Sequence, residues 1–424
     1  MRSASIGSSG GDQLRILFVS AYLPSRIAGA PVRLLGLLSC LARSHAVSLA
    51  AFVPPNADLA GAIEAIRGSC EEIVMVRNDR MGLHGASKRA LQIRSVLSSR
   101  SHMGMVHQNP AFQAALDELA ARSSYDIVQV EGCYMAQYRF PGQARVVLDE
   151  HNIEYEINRR TVSIARALPR KIFNYLDYLN LKAEEERSWR TVDACAVTSP
   201  RDEASIRRSF PNVRTAVVPN GVDLDFFSPS GTQPEARTLL FFGTLNYYPN
   251  VDAVLFFLRN VLPQLRRSYP SLKLIVVGSL PPPAIRRWAG PDVIVTGAVD
   301  DVRPYLESAR AVVVPVRIGS GTRLKILEAM AMGKPVVSTT VGAEGLAVTD
   351  GGDILLADDA VAFAAQLRRV LDDDELPARL GSAARRLVQT TYQWKASARK
   401  LEELYASTLL GRAGDPVADS LMAS

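Results

Sequence analysis

Cysteine is scarce in this chain. Only Cys40, Cys70, Cys133 and Cys195 occur in 424 residues, each isolated from the others. No C-x-x-C or zinc-type spacing exists, so neither a disulfide framework nor a cysteine-based metal site is expected, and a reducing, cytoplasmic setting is the simple reading. Long apolar runs are missing too. Nowhere do about 18 apolar residues follow one another, so no transmembrane helix is expected. The first twelve residues are small, polar and glycine-rich, without the apolar centre of a signal peptide. A flexible tail is expected over 1–13 and another over 413–424. Acid and base nearly balance, with a net charge of +6. That is compatible with anionic substrates or with a peripheral contact at the inner face of a membrane, and establishes neither. No nucleic-acid partner is expected.

What is present is an ordinary globular composition, 47% hydrophobic and 22% charged, in a chain long enough for two or three domains. Short β-branched runs alternate with helical patterns. Arg15–Ser20, Val47–Val53, Glu72–Val76, Asp126–Val130, Val146–Asp149 and Ala194–Thr198 read as strands, with helices such as Arg33–Ala42 and Phe112–Ala121 between them. The rhythm restarts with Ala216–Pro219, Thr238–Phe242, Lys273–Val277, Val293–Thr296, Ala311–Val314 and Val336–Ser338, separated by helices at Val251–Leu265, Arg323–Met332 and Ala360–Leu371. This predicts an α/β chain of two doubly wound, Rossmann-like domains, 14–215 and 216–395, with a final helix over 396–412 crossing back to the first. Ligands in such sheets bind beyond the carboxyl ends of the strands, so the cleft between the domains is the expected site.

The most informative string is Gly319–Val337, GSGTRLKILEAMAMGKPVV. A glycine-rich turn enters an apolar helix whose first turn carries Arg323 and Lys325. A helix N-terminus already bears about half a positive charge, so two cations there call for an anion. Glu328, one turn further, supplies a carboxylate that can accept from hydroxyls. The string is neither a Walker loop, since Pro335 follows Gly333-Lys334, nor a dinucleotide fingerprint, since Leu324 stands where the third glycine belongs. Read alone, it is equally compatible with a plain strand–helix turn in which Lys325 and Glu328 pair at i,i+3.

With Pro219–Asp223 (PNGVD), Phe242–Asn250 (FGTLNYYPN), Val276–Gly278 (VVG), Thr296–Val302 (TGAVDDV), Gly321–Gly333 (GTRLKILEAMAMG) and Val341–Leu346 (VGAEGL), the chain resembles the retaining glycosyltransferases of family four, which have the GT-B fold. The resemblance implies transfer of a sugar from a nucleoside-diphosphate sugar to an acceptor hydroxyl with retained anomeric configuration. Attack would be from the same face, assisted by the departing phosphate oxygen, with no metal and no cofactor beyond the donor. It implies that Glu328 binds the ribose hydroxyls and that Arg323 and Lys325 face the diphosphate. Gly319, Ser320, Gly321 and Thr322 would let the backbone approach sugar and phosphate, with Gly243 on the same donor side. Gly29 and Arg33 would form the N-terminal loop near the diphosphate. A carbohydrate or lipid-linked acceptor, in surface-polysaccharide or glycolipid assembly, is implied in the same way. The chain departs from the family pattern at Ser320, where a sugar-contacting glutamate is frequent, and in the Gly243–Asn250 segment, which lacks the usual Arg and Lys.

Two further candidates stand at strand ends. Glu131 closes the fourth strand, and His151 follows the fifth within Leu148–Glu156 (LDEHNIEYE). Histidine there suits a near-neutral proton shuttle. Both are taken as catalytic candidates, against readings as a loop acid and a core residue. His102 and His107 fall in a loop-like region within possible reach of an acceptor. Thr161–Arg190 reads as a long helical region with a basic face, either solvated or against an anionic membrane. Asp300-Asp301, Asp358-Asp359 and Asp372–Asp374 begin or end helices, where acids cap, so no metal site is assigned to them. Two other functions fit the architecture: a nucleotide-sugar 2-epimerase using His151 and Glu131, and a non-catalytic nucleotide-sugar binder.

Overall fold

The computed structural model describes residues 13–26, 29–55, 59–140, 142–164, 167–319 and 321–411. Both expected tails, apart from Gln13, and Ser320 therefore lie outside the described residues.

Seven parallel strands form the first sheet: β1 (Arg15–Ser20), β2 (Ala46–Val53), β3 (Glu72–Arg77), β4 (Ile127–Glu131), β5 (Arg145–Glu150), β6 (Ala194–Val197) and β7 (Thr215–Val217). Their order is β3-β2-β1-β4-β5-β6-β7. β1 is central: Ile16 pairs with Val47 on one side and Ile127 on the other. Alternation sends Ile16 and Phe18 to one layer, against Leu34, Leu38, Leu401 and Tyr405. Leu17 and Val19 go to the opposite layer, against Phe112, Leu116 and Trp189. A sheet covered on both faces explains why β1 reads as a continuous apolar run.

The second sheet contains β8 (Thr238–Phe242), β9 (Lys273–Val277), β10 (Val293–Gly297), β11 (Ala311–Val314), β12 (Val336–Ser338) and β13 (Leu355–Leu356), in the order β10-β9-β8-β11-β12-β13. One apolar core of β8, β9, β11 and β12 with their helices holds this half together. The two doubly wound domains are thus as expected, with one correction. Ala216–Pro219 is not the first strand of the second domain. Ala216 and Val217 pair with Ala196 and Val197, so β7 edges the first sheet and the boundary lies after it. Sequence rhythm does not reveal which sheet an edge strand joins.

The expected helix Val251–Leu265 is a longer rod running from Tyr248 to Arg266, widened between Phe257 and Val261 into a π-type turn. Pro263 has no N–H to return to the Arg259 carbonyl, which accounts for the local unwinding. The region Thr161–Arg190 is two helices, Glu154–Ile164 and Leu168–Thr191, the second opened by Pro169. The final helix, Trp394–Leu410, packs on the first domain, where the Tyr405 hydroxyl donates to Gln129 Oε1 at 2.9 Å. Its first residue locks the crossing, because a Cβ at Gly36 or Gly221 would run into Trp394. Within each sheet the strand order reverses once, between β1 and β4 and between β8 and β11. These are the two points where ligands bind in open α/β sheets.

Candidate active site

At the first reversal point, five buried side chains and the partly buried Tyr22 form one network. Asp149, at the end of β5, accepts both Nε and Nη2 of Arg33 at 2.8 Å. Arg33 is 1% exposed and also donates to Asn220 Oδ1 at 3.1 Å. His151 Nε2 lies 2.7 Å from Glu131 and 3.5 Å from Asp149, and its Nδ1 lies 3.0 Å from the Tyr22 hydroxyl. Burial lowers the proton affinity of His151, but Asp149 and Glu131 outweigh it and raise its pKa to about 10. Burial and the neighbouring Asp149 charge raise Glu131. Burial would raise Asp149 as well, yet Arg33 and His151 hold it below the ordinary carboxylate range.

This geometry changes two expectations. His151 is not poised for proton transfer near neutrality: it is a buried cation with both ring nitrogens engaged. Arg33 adds no open positive charge to the cleft, because its guanidinium is committed to Asp149 and Asn220. Ligand-capable atoms of Glu131, Asp149 and His151 do lie within 4.8 Å of one another, as do those of Cys133, Glu150 and Glu185. In the first group, however, Arg33 already neutralises Asp149. His107 also departs from expectation. It follows the short helix His102–Val106, is buried, bonds the Met103 carbonyl at 2.9 Å and stacks on Tyr134. Burial lowers its pKa to about 4, so it is a neutral core residue, remote from an acceptor role.

The second reversal point carries the glycine-rich string. Arg323 is the N-cap of the helix Leu324–Ala331, which sets Lys325 in its first turn and Glu328 one turn on. Lys325 Nζ lies 2.8 Å from Asn250 Oδ1 and 4.3 Å from the centre of the Phe241 ring. Gly243, at φ +141°, passes so close that a Cβ there would come within 2.8 Å of Lys325 Nζ. Burial and the nearby Arg323 lower the Lys325 pKa to about 7, against the pull of Glu328. Burial raises Glu328 to about 7, against the pull of Lys325. Glu328 also faces a cavity of about 450 Å³ between the domains, bounded by Arg26, Gly36, Gly221, Asp223 and Trp394. The helix end thus offers cationic donors beside a carboxylate, in a place where neither charge is well hydrated. An anionic group with hydroxyls attached would satisfy both.

The two half-sites touch. Thr322 Oγ1 accepts from Asn220 Nδ2 at 2.6 Å, linking the string through Asn220 to Arg33. Arg160 donates to the Gly319 carbonyl and pairs with Glu344 at 3.0 Å, and Arg201 meets Glu344 at 3.1 Å. Gly321 has φ +67°, and a Cβ there would overlap the His151 carbonyl and the Asn152 side chain. A left-handed alanine costs about 1–2 kcal/mol before any clash. Gly321→Ala is therefore expected to lose at least that much stability in a urea titration; a variant as stable as the parent would show that the close approach is dispensable. Gly29, at φ +59°, caps the first helix of the first domain, and a side chain there would meet open space.

Sequence reading missed Tyr22, Asp149, Asn220 and Asn250 as members of the site. Asp149 and Asn220 stood inside quoted strings, LDEHNIEYE and PNGVD. Asn250 closed another, FGTLNYYPN. Tyr22 had no signal beyond its position just after β1.

Residues 236–373 match the model of the family described as Glycosyl transferases group 1. A phosphatidyl-myo-inositol mannosyltransferase of Mycolicibacterium smegmatis is 30% identical over 199 residues, covering 44% of this chain and 50% of that protein. A glycogen synthase of Mycobacterium tuberculosis is 29% identical over 208 residues, covering 46% and 49%. The chain thus aligns with about half the length of these curated relatives. Among solved structures, a sucrose-phosphate synthase from Thermosynechococcus elongatus superposes with a TM-score of 0.70 at 19% identity, over 93% of this chain and 99% of the other. Anabaena HepE in complex with UDP-glucose superposes at 0.62 and 16% identity, over 93% and 100%. Residues 236–373 are thus similar to the glycosyl transferases group 1 family, and the two doubly wound halves together form the GT-B fold.

Proposed function

We propose that this protein transfers a sugar from a nucleoside-diphosphate sugar to an acceptor hydroxyl, with retention of configuration and without a metal. The observation that carries the reading is the Arg323–Lys325–Glu328 arrangement at one helix end, opposite the first domain. As the glycosidic bond breaks, charge develops on the leaving diphosphate. Arg323, Lys325 and the helix N-terminus stabilise it without reorganising, because burial already fixes them. Glu328 holds the ribose. Glu131, Asp149, His151 and Arg33 form the floor of the acceptor side, where a fixed imidazolium orients polar groups instead of shuttling protons. That commitment removes the acid–base pair that an epimerase would draw on here.

The match of residues 236–373 supports the glycosyltransferase class, and HepE, whose solved complex contains UDP-glucose, supports the donor class. An acceptor in polysaccharide or glycolipid assembly fits relatives named for phosphatidyl-myo-inositol and glycogen. A panel of uridine, guanosine and adenosine diphosphate sugars should contain one that raises the melting temperature, by mass action on the native state. That donor should release its diphosphate only when an acceptor is present. A donor converted to an epimer without acceptor, or a stabilising donor never turned over with any acceptor, would displace this reading.

A further inference from the structure

The helices Gly85–Leu97 and Leu168–Thr191 pack side by side on the outside of the first domain. Each turns an apolar set away from the core. On the longer helix, Leu168, Ile172, Tyr175 and Leu179 recur at helical spacing on the face opposite buried Asp177 and Leu181, and all four are exposed. On the shorter helix, Ile93 and Leu97 lie opposite buried Leu91 and Ser95, and Leu97 is 80% exposed. Scattered exposed leucines need no explanation, but a stripe of this length along paired helices does.

The exposed charge beside the first turns of the stripe is basic. Arg89 and Arg94 flank Ile93 on the shorter helix and Lys171 precedes Ile172 on the longer one, while Glu186, paired with Lys182, follows Leu179 on the same face further along. Lys88, Arg89, Arg94 and Lys171 are exposed, and among the described residues none of them pairs with a carboxylate. A protein partner would need both a matching apolar groove and a ring of acids. A bilayer with anionic headgroups supplies hydrocarbon and negative charge in one plane, the geometry that in-plane amphipathic helices use.

We infer that the face made by Gly85–Leu97 and the first half of Leu168–Thr191 docks this protein on an anionic lipid surface. Leu97, Leu168, Ile172, Tyr175 and Leu179 enter the headgroup boundary while Arg89, Arg94 and Lys171 meet lipid phosphates. The opposite side of the same long helix, at Arg170 and Asn174, lines a groove of about 690 Å³ shared with Tyr248, Asp252, Arg259 and Arg317 of the second domain. Docking therefore leaves this groove on the side turned away from the lipid, one helix diameter, roughly 10 Å, above it. The inference does not depend on sugar transfer, since its readout is lipid binding alone.

The test is co-sedimentation of the full chain with vesicles of phosphatidylcholine, with and without phosphatidylglycerol. Binding is expected only with phosphatidylglycerol, and it should weaken as salt is raised. Arg89→Glu/Lys171→Glu should lower partition roughly tenfold or more. Leu97→Ser/Ile172→Ser should lower it about tenfold at unchanged charge. All four positions are exposed, so far-ultraviolet circular dichroism and the stabilisation by nucleotide should stay as in the parent. Absence of binding to phosphatidylglycerol vesicles, or equal binding by parent and both variants, would overturn the inference. So would lipid-independent self-association that Leu97→Ser/Ile172→Ser abolishes, which would assign the face to a second copy of the chain.

Discussion

Lys325→Ala is expected to weaken binding of a nucleoside diphosphate by roughly two orders of magnitude or more, the usual cost of removing one member of a buried, charge-assisted contact. The dependence on pH should be equally diagnostic. Lys325 titrates near 7 in the empty site, because burial and Arg323 disfavour its charge. A bound diphosphate reverses that balance and raises the lysine pKa, so affinity falls as pH rises above 7 and the free protein loses the proton that binding must restore. Glu328 also titrates near 7, raised by burial. It accepts from hydroxyls best when ionised, so affinity falls as pH drops below 7. The two limbs give a bell centred near neutrality. Calorimetric titration across about pH 5 to 9 should show it. Lys325→Arg should abolish the alkaline fall, since arginine stays charged throughout, and Glu328→Gln should abolish the acid fall while lowering the maximum. A flat profile for the parent would mean that neither side chain meets the ligand.

The glycine-rich half of the candidate site was legible because it is local. Gly319, Gly321, Arg323, Lys325 and Glu328 stand within ten positions, a turn followed at once by the helix that carries the charged residues. β1, β8, β9, β11 and β12 were equally legible, each a short buried run between turn residues. What the sequence withheld depends on distance along the chain. Asp149 owes its depressed pKa to Arg33, 116 positions away, and His151 owes its raised one to Asp149 and Glu131 together. A histidine at a strand end reads as a near-neutral proton carrier until those partners are in view. Asn250 was visible only as the close of the FGTLNYYPN string, and its contact with Lys325 joins positions 75 apart. The helix Gly85–Leu97 escaped notice for the opposite reason: its largest apolar residues face outward, so no core-facing pattern announces it.

Asp149→Ala should be among the most destabilising substitutions in the chain. It strands the Arg33 guanidinium, 1% exposed, with Asn220 alone among the described residues to accept from it, and breaking a buried pair in this way typically costs about 3–5 kcal/mol. Replacing both partners by apolar residues, Arg33→Met with Asp149→Leu, should recover much of that loss, because the desolvation penalty disappears along with the attraction. If the double variant is no more stable than Asp149→Ala, the cost lies in packing and not in the orphaned charge. Titration separates the two further. Asp149 is depressed in the folded state, so its contribution is present above the unfolded pKa of about 3.9 and is lost as pH falls through the folded value. His151 has the opposite sign. Its contribution is complete below about 6.5 and drains away as pH rises through about 10. Urea midpoints for the parent should therefore decline across that alkaline window. Asp149→Asn removes the strongest support of the imidazolium, so the decline should flatten in that variant. An unchanged alkaline slope would show that Glu131 alone holds the proton on His151, and that Asp149 serves only to anchor Arg33 beneath the cleft.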